Sequence, residues 1–413
     1  MTEAWIIDAV RTPRGAGKPG KGALSGIHPQ QVAATVLRAL VERNGIDTAD
    51  VGDVIWGANA QQGEQGHDLG RMAALDAGYD VRSSGITISR FCASSLSGEG
   101  LAAAAIRAGY EDLVVAGGTE MMSLTAKFWA NSDAIPTLDA GNLRLRARHP
   151  QSHQGLSADA IASLEGFTRE QLDALALESQ RRAGEAIAAG RFDRSLVPVY
   201  REDGTLALNR DELPRPQTTP EALAGLKPSF AGIAGYAIDA EGTTYADLIH
   251  RVYPDLEIRN LHHAGNSSGV ADGAAAVLLA SPDYARRHGL KPRARVLMVA
   301  NMGDSPTLML NAPVPATRKV LERAGLTLAD IDLFEVNEAF AAVAEKFIRD
   351  LDLDREKVNV NGGAIALGHP IGATGAILIG TLLDELEQQD LRRGLVTMCA
   401  GGGMAPAMII ERV

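Results

Sequence analysis

The chain has 413 residues, of which 46% are hydrophobic and 22% charged, which excludes a disordered, collagen-like or coiled-coil protein and favours two or three globular domains. Its 40 basic and 51 acidic side chains give a net charge of −11, which argues against a general nucleic-acid binder. The first residues do not resemble a signal peptide, and no apolar run reaches the roughly eighteen residues of a membrane span, so we expect a cytoplasmic protein without an integral membrane segment.

The first third of the chain alternates short apolar runs with stretches of helical periodicity. We predict strands over residues 5–10, 53–57, 85–91 and 113–116, and helices over residues 31–43 and 97–108. This alternation of strand and helix predicts βαβ units and a largely parallel sheet.

The middle of the chain is irregular and rich in proline, with one clear helix. That helix begins at a capping box, in which Thr168 and Gln171 satisfy each other's backbone N–H groups. The most basic point of the region is formed by Arg144, Arg146 and Arg148. It is either a solvated surface or a landing site for a polyanionic ligand.

The last third repeats the pattern of the first. We predict strands over residues 295–299, 333–336, 358–360, 395–399 and 407–411, and helices over residues 316–324 and 373–387. The order of elements before residues 112–118 corresponds to the order before residues 394–403. The chain is therefore predicted to contain two related α/β halves.

Two glycine patterns and a metal site are excluded by their context. Residues 15–20 fit G-x-G-x-x-G, but a proline interrupts the run, so we interpret the segment as a surface turn. Residues 265–269 fit the G-x-S-x-G pattern of serine hydrolases, yet no strand leads directly into them. The nine histidines and two cysteines show no metal-ligand spacing, so we expect no metal.

Cys92 is the first candidate for chemistry, because it follows the predicted strand 85–91 and precedes the predicted helix 97–108. A thiol at a helix N-terminus lies near free N–H groups and the positive end of the helix dipole. Its pKa is therefore predicted to fall from about 8.5 toward neutrality. The alternative interpretation is a small apolar cysteine buried in the core.

Three further polar residues follow predicted strands in the last third. His369 lies among four glycines and a proline just before a helix, although a plain glycine-rich turn is an alternative. Cys399 precedes three glycines, whose open N–H groups can bind a substrate oxygen. Asn337 stands at another strand-to-helix junction. Open α/β sheets build their sites at such strand ends.

Five segments together resemble the thiolase family, and the resemblance covers the chain from end to end. They are residues 90–94 (RFCAS), 266–269 (NSSG), 337–340 (NEAF), 368–375 (GHPIGATG) and 399–404 (CAGGGM). The chain is most similar to the thiolase (beta) subunit of bacterial trifunctional fatty-acid-oxidation complexes. Residues 161–167 (IASLEGF), residues 317–321 (TRKVL) and the long 230–266 connection carry that closer likeness.

The resemblance implies a thiolase-like α/β fold, with two similar α/β halves in a five-layer αβαβα core and an inserted loop domain. We expect the N-terminal half at residues 1–120 plus about 258–283. The inserted loop domain, which would cover CoA, is expected at residues 121–257, and the C-terminal half at residues 284–413.

The resemblance also implies roles for the candidate residues. Cys92 would be the nucleophile that takes the acyl group, His369 the base that removes its proton, and Cys399 the acid/base for the acetyl-CoA enolate. Asn337, acting through a water molecule, and His369 match the residues that form the family's first oxyanion hole. The backbone N–H groups of Cys92 and Gly401 resemble the second.

Other positions bear on CoA binding and on the acyl group. Ser268 and Phe230 match family positions that hold the pantetheine arm, and Arg215 matches a position near the adenine end more loosely. Gln154 stands where short-chain members tend to have Met, which argues against a strictly acetoacetyl pocket. Further departures from the family pattern, which bear on rate and chain-length preference, are Ser89, Ser95 and Pro406.

The implied activity is that of a 3-ketoacyl-CoA thiolase (acetyl-CoA C-acyltransferase) of fatty-acid β-oxidation, which uses CoA to cleave a 3-ketoacyl-CoA into acetyl-CoA and a shortened acyl-CoA. No cofactor is implied beyond the substrate CoA. A homodimer or homotetramer is expected, and the resemblance leaves open whether a hydratase/dehydrogenase alpha chain is bound. The alternatives are an acetoacetyl-CoA thiolase that condenses two acetyl-CoA molecules and, more remotely, a non-catalytic acyl-CoA-binding subunit.

Overall fold

The computed structural model describes residues 2–130 and 137–413. Within them the chain forms twelve strands: β1 (Trp5–Arg11), β2 (Gly15–Ala16), β3 (Asp53–Gly57), β4 (Ile86–Ile88), β5 (Leu113–Met121), β6 (Val199–Tyr200), β7 (Leu206–Leu208), β8 (Ala271–Ala280), β9 (Ala294–Gly303), β10 (Leu333–Val336), β11 (Arg393–Thr397) and β12 (Met404–Arg412).

The same residues form fifteen α-helices: α1 (Pro29–Asn44), α2 (Leu69–Asp76), α3 (Ser94–Ala108), α4 (Met122–Ala130), α5 (Leu143–Arg148), α6 (Gln154–Leu164), α7 (Arg169–Ala188), α8 (Pro220–Ala224), α9 (Ala231–Ala234), α10 (Tyr245–His250), α11 (Pro282–His288), α12 (Pro313–Ala324), α13 (Ala341–Asp350), α14 (Ala364–Leu367) and α15 (Thr374–Gln388). Short 3₁₀ turns lie at Thr48–Asp50, Gly63–Gln65, Leu328–Asp330, Arg355–Lys357 and Ile371–Ala373. None of the described helices is long and apolar enough to cross a membrane.

The main sheet consists of two halves that meet at β1 and β9. Hydrogen bonds connect its strands in the order β10-β11-β12-β9-β1-β8-β5-β3-β4. Strands β1 and β9 pair through only two residue pairs, Trp5 with Arg295 and Ile6 with Ala294, whereas β9 and β12 pair along most of their length. The first half therefore runs from β4 to β1, and the second half from β9 to β10.

Helices pack on both faces of each half. Ile106 of α3 and Ile379 of α15 share one buried core with Val277 of β8 and Met408 of β12, so α3 and α15 lie between the two halves of the sheet. Helices α1 and α2 cover the outer face of the first half, and α12 and α13 cover that of the second. The order of layers is αβαβα, which confirms the predicted fold class.

The predicted elements of the first third are present, and β3 has the predicted bounds. Helices α1 and α3 end at Gly45 and Gly109, whose positive φ values of 60° and 77° stop each helix. The capping box at the start of α7 is formed by Thr168 and Gln171.

Two predictions about the sheet are wrong. The sheet is mixed rather than largely parallel, because β8 and β12 are each antiparallel to both of their neighbours in the sheet. Residues 358–360 form no strand: Val358 makes a single bridge to Phe334, and Asn359 has a φ of 47°. The Asn359 side chain instead bonds the backbone of Val336 at both its N–H and its carbonyl group, which replaces a strand partner.

The region between β5 and β8, here called the inserted region, is attached to the first half by a buried ion pair. Asp211 accepts two hydrogen bonds from the guanidinium of Arg11, at 2.8 and 2.9 Å, and one from the backbone N–H of Arg14 at 2.8 Å. The side chains of Arg11 and Asp211 are both 2% exposed. The segment that follows β7 is therefore fixed at the end of β1.

The contact between the N-termini of α3 and α15 provides a test of this packing. A Cβ atom at Gly375 would lie 2.2 Å from the backbone nitrogen of Leu96, so Gly375→Ala must displace backbone. Overpacking of this kind costs about 1–3 kcal/mol, and we expect the melting temperature to fall by several degrees. Gly380→Ala, on the same helix, is the control, because its Cβ meets only Ala9 at 3.4 Å. Equal melting temperatures in differential scanning calorimetry would contradict the packing.

Candidate active site

One cavity of about 280 Å³ brings together segments that lie far apart in the sequence. Its lining residues are Cys92, Met122, His153, Gln154, Phe230, Ser267, Ser268, Gly269, Val270, Leu310, Ala339, Phe340, His369, Ile371, Cys399 and Gly401. The two cysteines, the histidine and the glycine that the sequence singled out for chemistry thus share one cavity.

Cys92 lies in a tight turn between β4 and α3. The residue before it, Phe91, has a φ of 49°, a left-handed conformation that costs a bulky residue of order 1 kcal/mol. Ser94 holds the turn: its Oγ accepts from the N–H of Arg90 at 2.9 Å and donates to the carbonyl of Phe91 at 2.6 Å. Helix α3 begins at Ser94, so Cys92 stands just outside its first turn.

The loop after β11 packs against this turn. A Cβ atom at Gly401 would lie 3.0 Å from the ring of Phe91, so the absence of a side chain lets the loop approach. The loop is closed by a hydrogen bond of 2.8 Å from the N–H of Ala400 to the carbonyl of Met404. The approach brings the backbone N–H of Gly401 to the sulfur of Cys92.

The predicted pKa of Cys92 is wrong in direction. Burial is the largest cause that raises the pKa of the Cys92 thiol to about 12, and the negative charge of Glu120 acts in the same direction. The backbone N–H groups of Cys92 and Gly401 oppose this rise. Desolvation outweighs the helix dipole because Cys92 lies outside the first turn of α3, so Cys92 rests as a thiol at neutral pH.

Hydrogen bonds of its backbone and its ring fix His369 in the cavity. Its backbone N–H donates to the carbonyl of Gly269 at 2.8 Å, and its Nδ1 lies 2.6 Å from Oγ1 of Thr374. The Thr374 hydroxyl donates its one proton to the carbonyl of Pro370 at 2.9 Å. It must therefore accept from His369, which assigns the ring proton to Nδ1 and leaves Nε2 as the free base.

His369 is uncharged at neutral pH. Burial lowers the pKa of its imidazole to about 4, and the positive charge of Arg14 acts in the same direction. Nε2 lies 3.5 Å from Nδ2 of Asn337. The Oδ1 of Asn337 is buried and has no hydrogen-bond partner among the described residues, so its carboxamide keeps the capacity to bind a polar ligand atom.

Cys399 lies two residues beyond β11 and is 1% exposed. Burial raises the pKa of its thiol well above the usual range, and the neighbouring Cys92 contributes in the same direction. The site therefore holds two protonated thiols beside one neutral imidazole. A proton can move between these groups only when a bound molecule stabilises the charge that develops.

Two of the three residues predicted to bind CoA line the cavity, and the third does not. Ser268 and Phe230 line the cavity, and the ring of Phe230 contacts those of His153 and Phe340, with centroids 5.7 Å away in each case. Arg215 is exposed and is not among the cavity-lining residues. Its backbone N–H donates to Oε1 of Gln180 at 2.7 Å, and neither of its hydrogen-bond partners among the described residues, Gln180 and Thr218, lines the cavity.

Sequence reasoning missed part of the cavity. The Oγ of Ser267 is buried without a hydrogen-bond partner among the described residues and belongs to a residue that lines the cavity. Ser267 is the serine of the G-x-S-x-G pattern at residues 265–269, but only the neighbouring Ser268 was predicted to bind the substrate. Met122, Leu310 and Ile371 form much of the apolar wall. No local pattern marks them, because each comes from a different segment.

The arrangement can support nucleophilic chemistry on a carbonyl group. It offers a thiol at Cys92, a base at Nε2 of His369 and N–H groups that can stabilise a developing oxyanion. Among residues 2–130 and 137–413 there is no group of three or more His, Cys, Asp or Glu side chains that could hold a metal ion.

Comparisons with known proteins agree over the whole chain. The family models "Thiolase, N-terminal domain" and "Thiolase, C-terminal domain" match residues 4–247 and 290–412. All of the chain aligns with all of an acetyl-CoA acetyltransferase of Escherichia coli (strain K12) at 41% identity. It also aligns with 99% of a beta-ketoadipyl-CoA thiolase of Pseudomonas aeruginosa at 42% identity, and with 95% of a steroid 3-ketoacyl-CoA thiolase of Mycobacterium tuberculosis at 40% identity.

A solved structure matches the fold equally broadly. The crystal structure of the Bacillus anthracis acetyl-CoA acetyltransferase superposes with a TM-score of 0.83 at 35% identity, covering 100% of this chain and 99% of that one.

The hydrogen bond at Nδ1 of His369 provides a test of the assigned tautomer. Thr374→Val removes the acceptor, and a buried unpaired N–H costs about 1–3 kcal/mol, so we expect the tautomer protonated on Nε2 to become populated. Thr374→Ser keeps the hydroxyl and is expected to keep the Nδ1–H tautomer. Nitrogen-15 chemical shifts of the His369 ring at pH 7 distinguish the two forms. Ring shifts unchanged from wild type in Thr374→Val would contradict the assignment.

Proposed function

The chain belongs to the thiolase family, and we propose that it acts as a 3-ketoacyl-CoA thiolase, which uses CoA to cleave a 3-ketoacyl-CoA into acetyl-CoA and a shortened acyl-CoA. The observation that carries the proposal is the single cavity that Cys92, His369, Cys399 and Gly401 share with apolar side chains. The reacting groups and the acyl binding wall are thereby in one place.

The first half-reaction breaks the carbon–carbon bond. The sulfur of Cys92 attacks the 3-keto carbon while Nε2 of His369 takes the thiol proton. The bond between C2 and C3 then breaks, and the acyl group stays on Cys92 as a thioester. The electron pair of the broken bond passes to the acetyl-CoA enolate. Cys399 gives that enolate a proton at C2, and the proton held by His369 then restores the Cys399 thiol. Acetyl-CoA leaves.

The second half-reaction transfers the acyl group to CoA. Its thiol loses a proton to His369 and attacks the acyl thioester, and the tetrahedral intermediate collapses with Cys92 as leaving group. The proton on His369 returns to the Cys92 sulfur. The N–H groups of Cys92 and Gly401, and the site of Asn337 and His369, stabilise the oxygen on which negative charge develops. Both half-reactions begin and end with uncharged groups.

The lining of the cavity supports acyl groups longer than acetoacetyl. Met122, Leu310, Ile371 and Val270 present apolar surface, and Gln154 replaces the Met that short-chain members tend to have. Two of the similar proteins are named for longer or larger 3-ketoacyl substrates, the beta-ketoadipyl and steroid thiolases. The alternative, condensation of two acetyl-CoA molecules, is supported by the names of the Escherichia coli and Bacillus anthracis proteins.

The proposed setting is fatty-acid β-oxidation in the cytoplasm, with CoA as substrate and no other cofactor. A homodimer or homotetramer is proposed as the assembly. Strand β4 ends the sheet, and within the described residues it pairs with β3 alone, while Ile86 on it is 48% exposed. An open edge of this kind favours pairing with a second copy. A hydratase/dehydrogenase alpha chain remains a candidate partner, which co-purification would test.

The two cysteines are expected to separate the half-reactions. Cys92→Ala removes the nucleophile, so no acyl-enzyme should form with a 3-ketoacyl-CoA and kcat should fall at least about 10⁴-fold. Cys399→Ala should still take an acyl group from an activated thioester, because that transfer needs no enolate proton, yet lose carbon–carbon cleavage. Intact-protein mass spectrometry reports the acyl-enzyme. Labelled acyl group on Cys92→Ala, or equal loss of both steps in Cys399→Ala, would count against these roles.

Acyl-chain preference decides between the two candidate substrates. We expect kcat/KM for 3-ketooctanoyl-CoA to exceed that for acetoacetyl-CoA by at least about tenfold, since each buried methylene is worth roughly 0.8 kcal/mol. Gln154→Met should lower this ratio, with thermal stability as the control for folding. Preference of the wild type for acetoacetyl-CoA would favour the condensing enzyme instead.

A further inference from the structure

The segment that bears His369 is held at its two ends by buried charged side chains. This segment, residues 368–372, is here called the His369 loop. Arg14, in the turn after β1, donates from Nη1 to the carbonyl of Gly368 at 3.1 Å. Glu120, near the end of β5, accepts from the N–H of Gly372 at 2.9 Å. Both side chains come from the first half of the sheet, and neither lines the cavity.

Arg14 is anchored on its other side by the inserted region. Its residue is 4% exposed, its backbone N–H donates to Asp211, and its carbonyl accepts from the N–H of Glu212 at 3.0 Å. Leu213 follows and lies against Gly368: a Cβ atom at Gly368 would be 2.6 Å from its Cδ1. The Gly368 end of the His369 loop is thus hydrogen-bonded to the guanidinium of Arg14 and packed against Leu213.

Glu120 ties the other end to a second loop. Besides Gly372, its carboxylate accepts from the N–H of Asn59 at 2.9 Å, the N–H of Ala60 at 3.2 Å and Nε2 of Gln65 at 2.6 Å. Burial raises the pKa of Glu120, and the donors oppose that rise. All four groups are N–H donors, and none of them can accept a hydrogen bond from a protonated carboxyl group. They therefore stabilise the charged form of Glu120.

The backbone around Gly372 is closely packed. A Cβ atom at Gly372 would lie 2.5 Å from the carbonyl oxygen of Thr119 and 2.9 Å from Cα of Ala58. The loop therefore meets the strand ends backbone to backbone, and its hydrogen bond to Glu120 fixes the direction of approach.

We propose that Arg14 and Glu120 are positioning residues for catalysis, which hold the two ends of the His369 loop and so fix the imidazole relative to Cys92. This inference rests on the proposed function, because it takes His369 as the base that acts on Cys92. Neither residue touches the reacting atoms. Each acts through a backbone group of the loop and through its own fixed charge.

The two charges act on different members of the site. Charged or titratable groups around the loop are the thiols of Cys92 and Cys399, the pair Arg14 and Asp211, and the carboxyls of Glu335 and Glu120. Arg14 adds to the effect of burial in lowering the pKa of His369. Glu120 adds to the effect of burial in raising the pKa of Cys92. Together they favour the uncharged thiol and imidazole in the resting site.

The test compares Arg14→Gln and Glu120→Gln with two controls. Arg293→Gln and Glu411→Gln each remove a buried, ion-paired charge whose residue lies outside the cavity. Arg14→Lys keeps the positive charge at the loop and serves as a conservative variant. All variants are measured for unfolding by heat, for kcat and KM with 3-ketooctanoyl-CoA and CoA, and for the rate of Cys92 alkylation by iodoacetamide, identified by peptide mass spectrometry.

In Arg14→Gln, the acid limb of the profile of kcat against pH is expected to shift to higher pH. Because the lost positive charge no longer opposes the imidazolium, the pKa of His369 rises and activity is lost at higher pH than in the wild type, by roughly one pH unit. Arg14→Lys should retain the wild-type limb, and so should both controls. We expect kcat of Arg14→Gln to fall about tenfold to hundredfold with little change in KM.

Glu120→Gln is expected to change the alkylation rate of Cys92 and kcat in opposite directions. Loss of the negative charge lowers the pKa of Cys92, so alkylation at pH 8 should be several-fold faster than in the wild type, at roughly tenfold per pKa unit. At the same time kcat should fall about tenfold or more, because the His369 loop loses an anchor. The Glu411→Gln control should show neither change.

Two results would overturn the inference. Variants that lose stability as the controls do, while keeping wild-type pH limbs and alkylation rates, would make Arg14 and Glu120 structural only. Variants that fold and turn over as the wild type does would show that neither residue positions the His369 loop. A wild-type protein with no thiolytic activity would instead remove the proposed function. The alkylation and unfolding measurements need no substrate, so they would still decide whether Glu120 acts on the site.

Discussion

The structure depends on backbone contact between its two halves at the N-termini of α3 and α15. The backbone nitrogen of Leu96 lies where a side chain on Gly375 would begin, and the carbonyl of Thr119 lies where one on Gly372 would begin. Because main chain meets main chain, no flexible side chain can adjust the separation. The turn with Cys92 and the loop with His369 are therefore held in one cavity, although the two residues are 277 positions apart in the sequence.

The burial of the site also decides the protonation of its groups. Burial raises the pKa of Cys92 to about 12 and lowers that of His369 to about 4, so the pair is uncharged at rest. A standing thiolate, which a helix dipole alone would favour, is absent. Under the proposed mechanism, reactivity depends instead on donors aimed at the charge that develops, such as the N–H of Gly401, which act strongly because the surroundings are poorly screened.

The sequence predicted the parts of the site that local patterns mark. Cys92, His369 and Cys399 each sit among glycines or small residues, and the structure brings all three to one cavity. The antiparallel course of β8 could not be predicted, because it depends on where the inserted region returns to the sheet. That of β12 against β11 follows from the short glycine-rich connection between the two strands, which the prediction of a largely parallel sheet did not take into account. Nor could the pKa of Cys92, since the helix-dipole argument contained no measure of burial.

Arg14 and Glu120 show why such residues escape sequence reasoning. Their partners are backbone atoms 354 and 252 positions away, and a backbone partner leaves no side-chain pattern to recognise. Arg14 is also held by Asp211, whose neighbour Leu213 packs on Gly368. The inserted region therefore contributes to the frame around His369, in addition to the wall that Phe230 supplies. A support for His369 and part of the cavity wall thus lie in one continuous segment, so the position of His369 depends on how that segment docks.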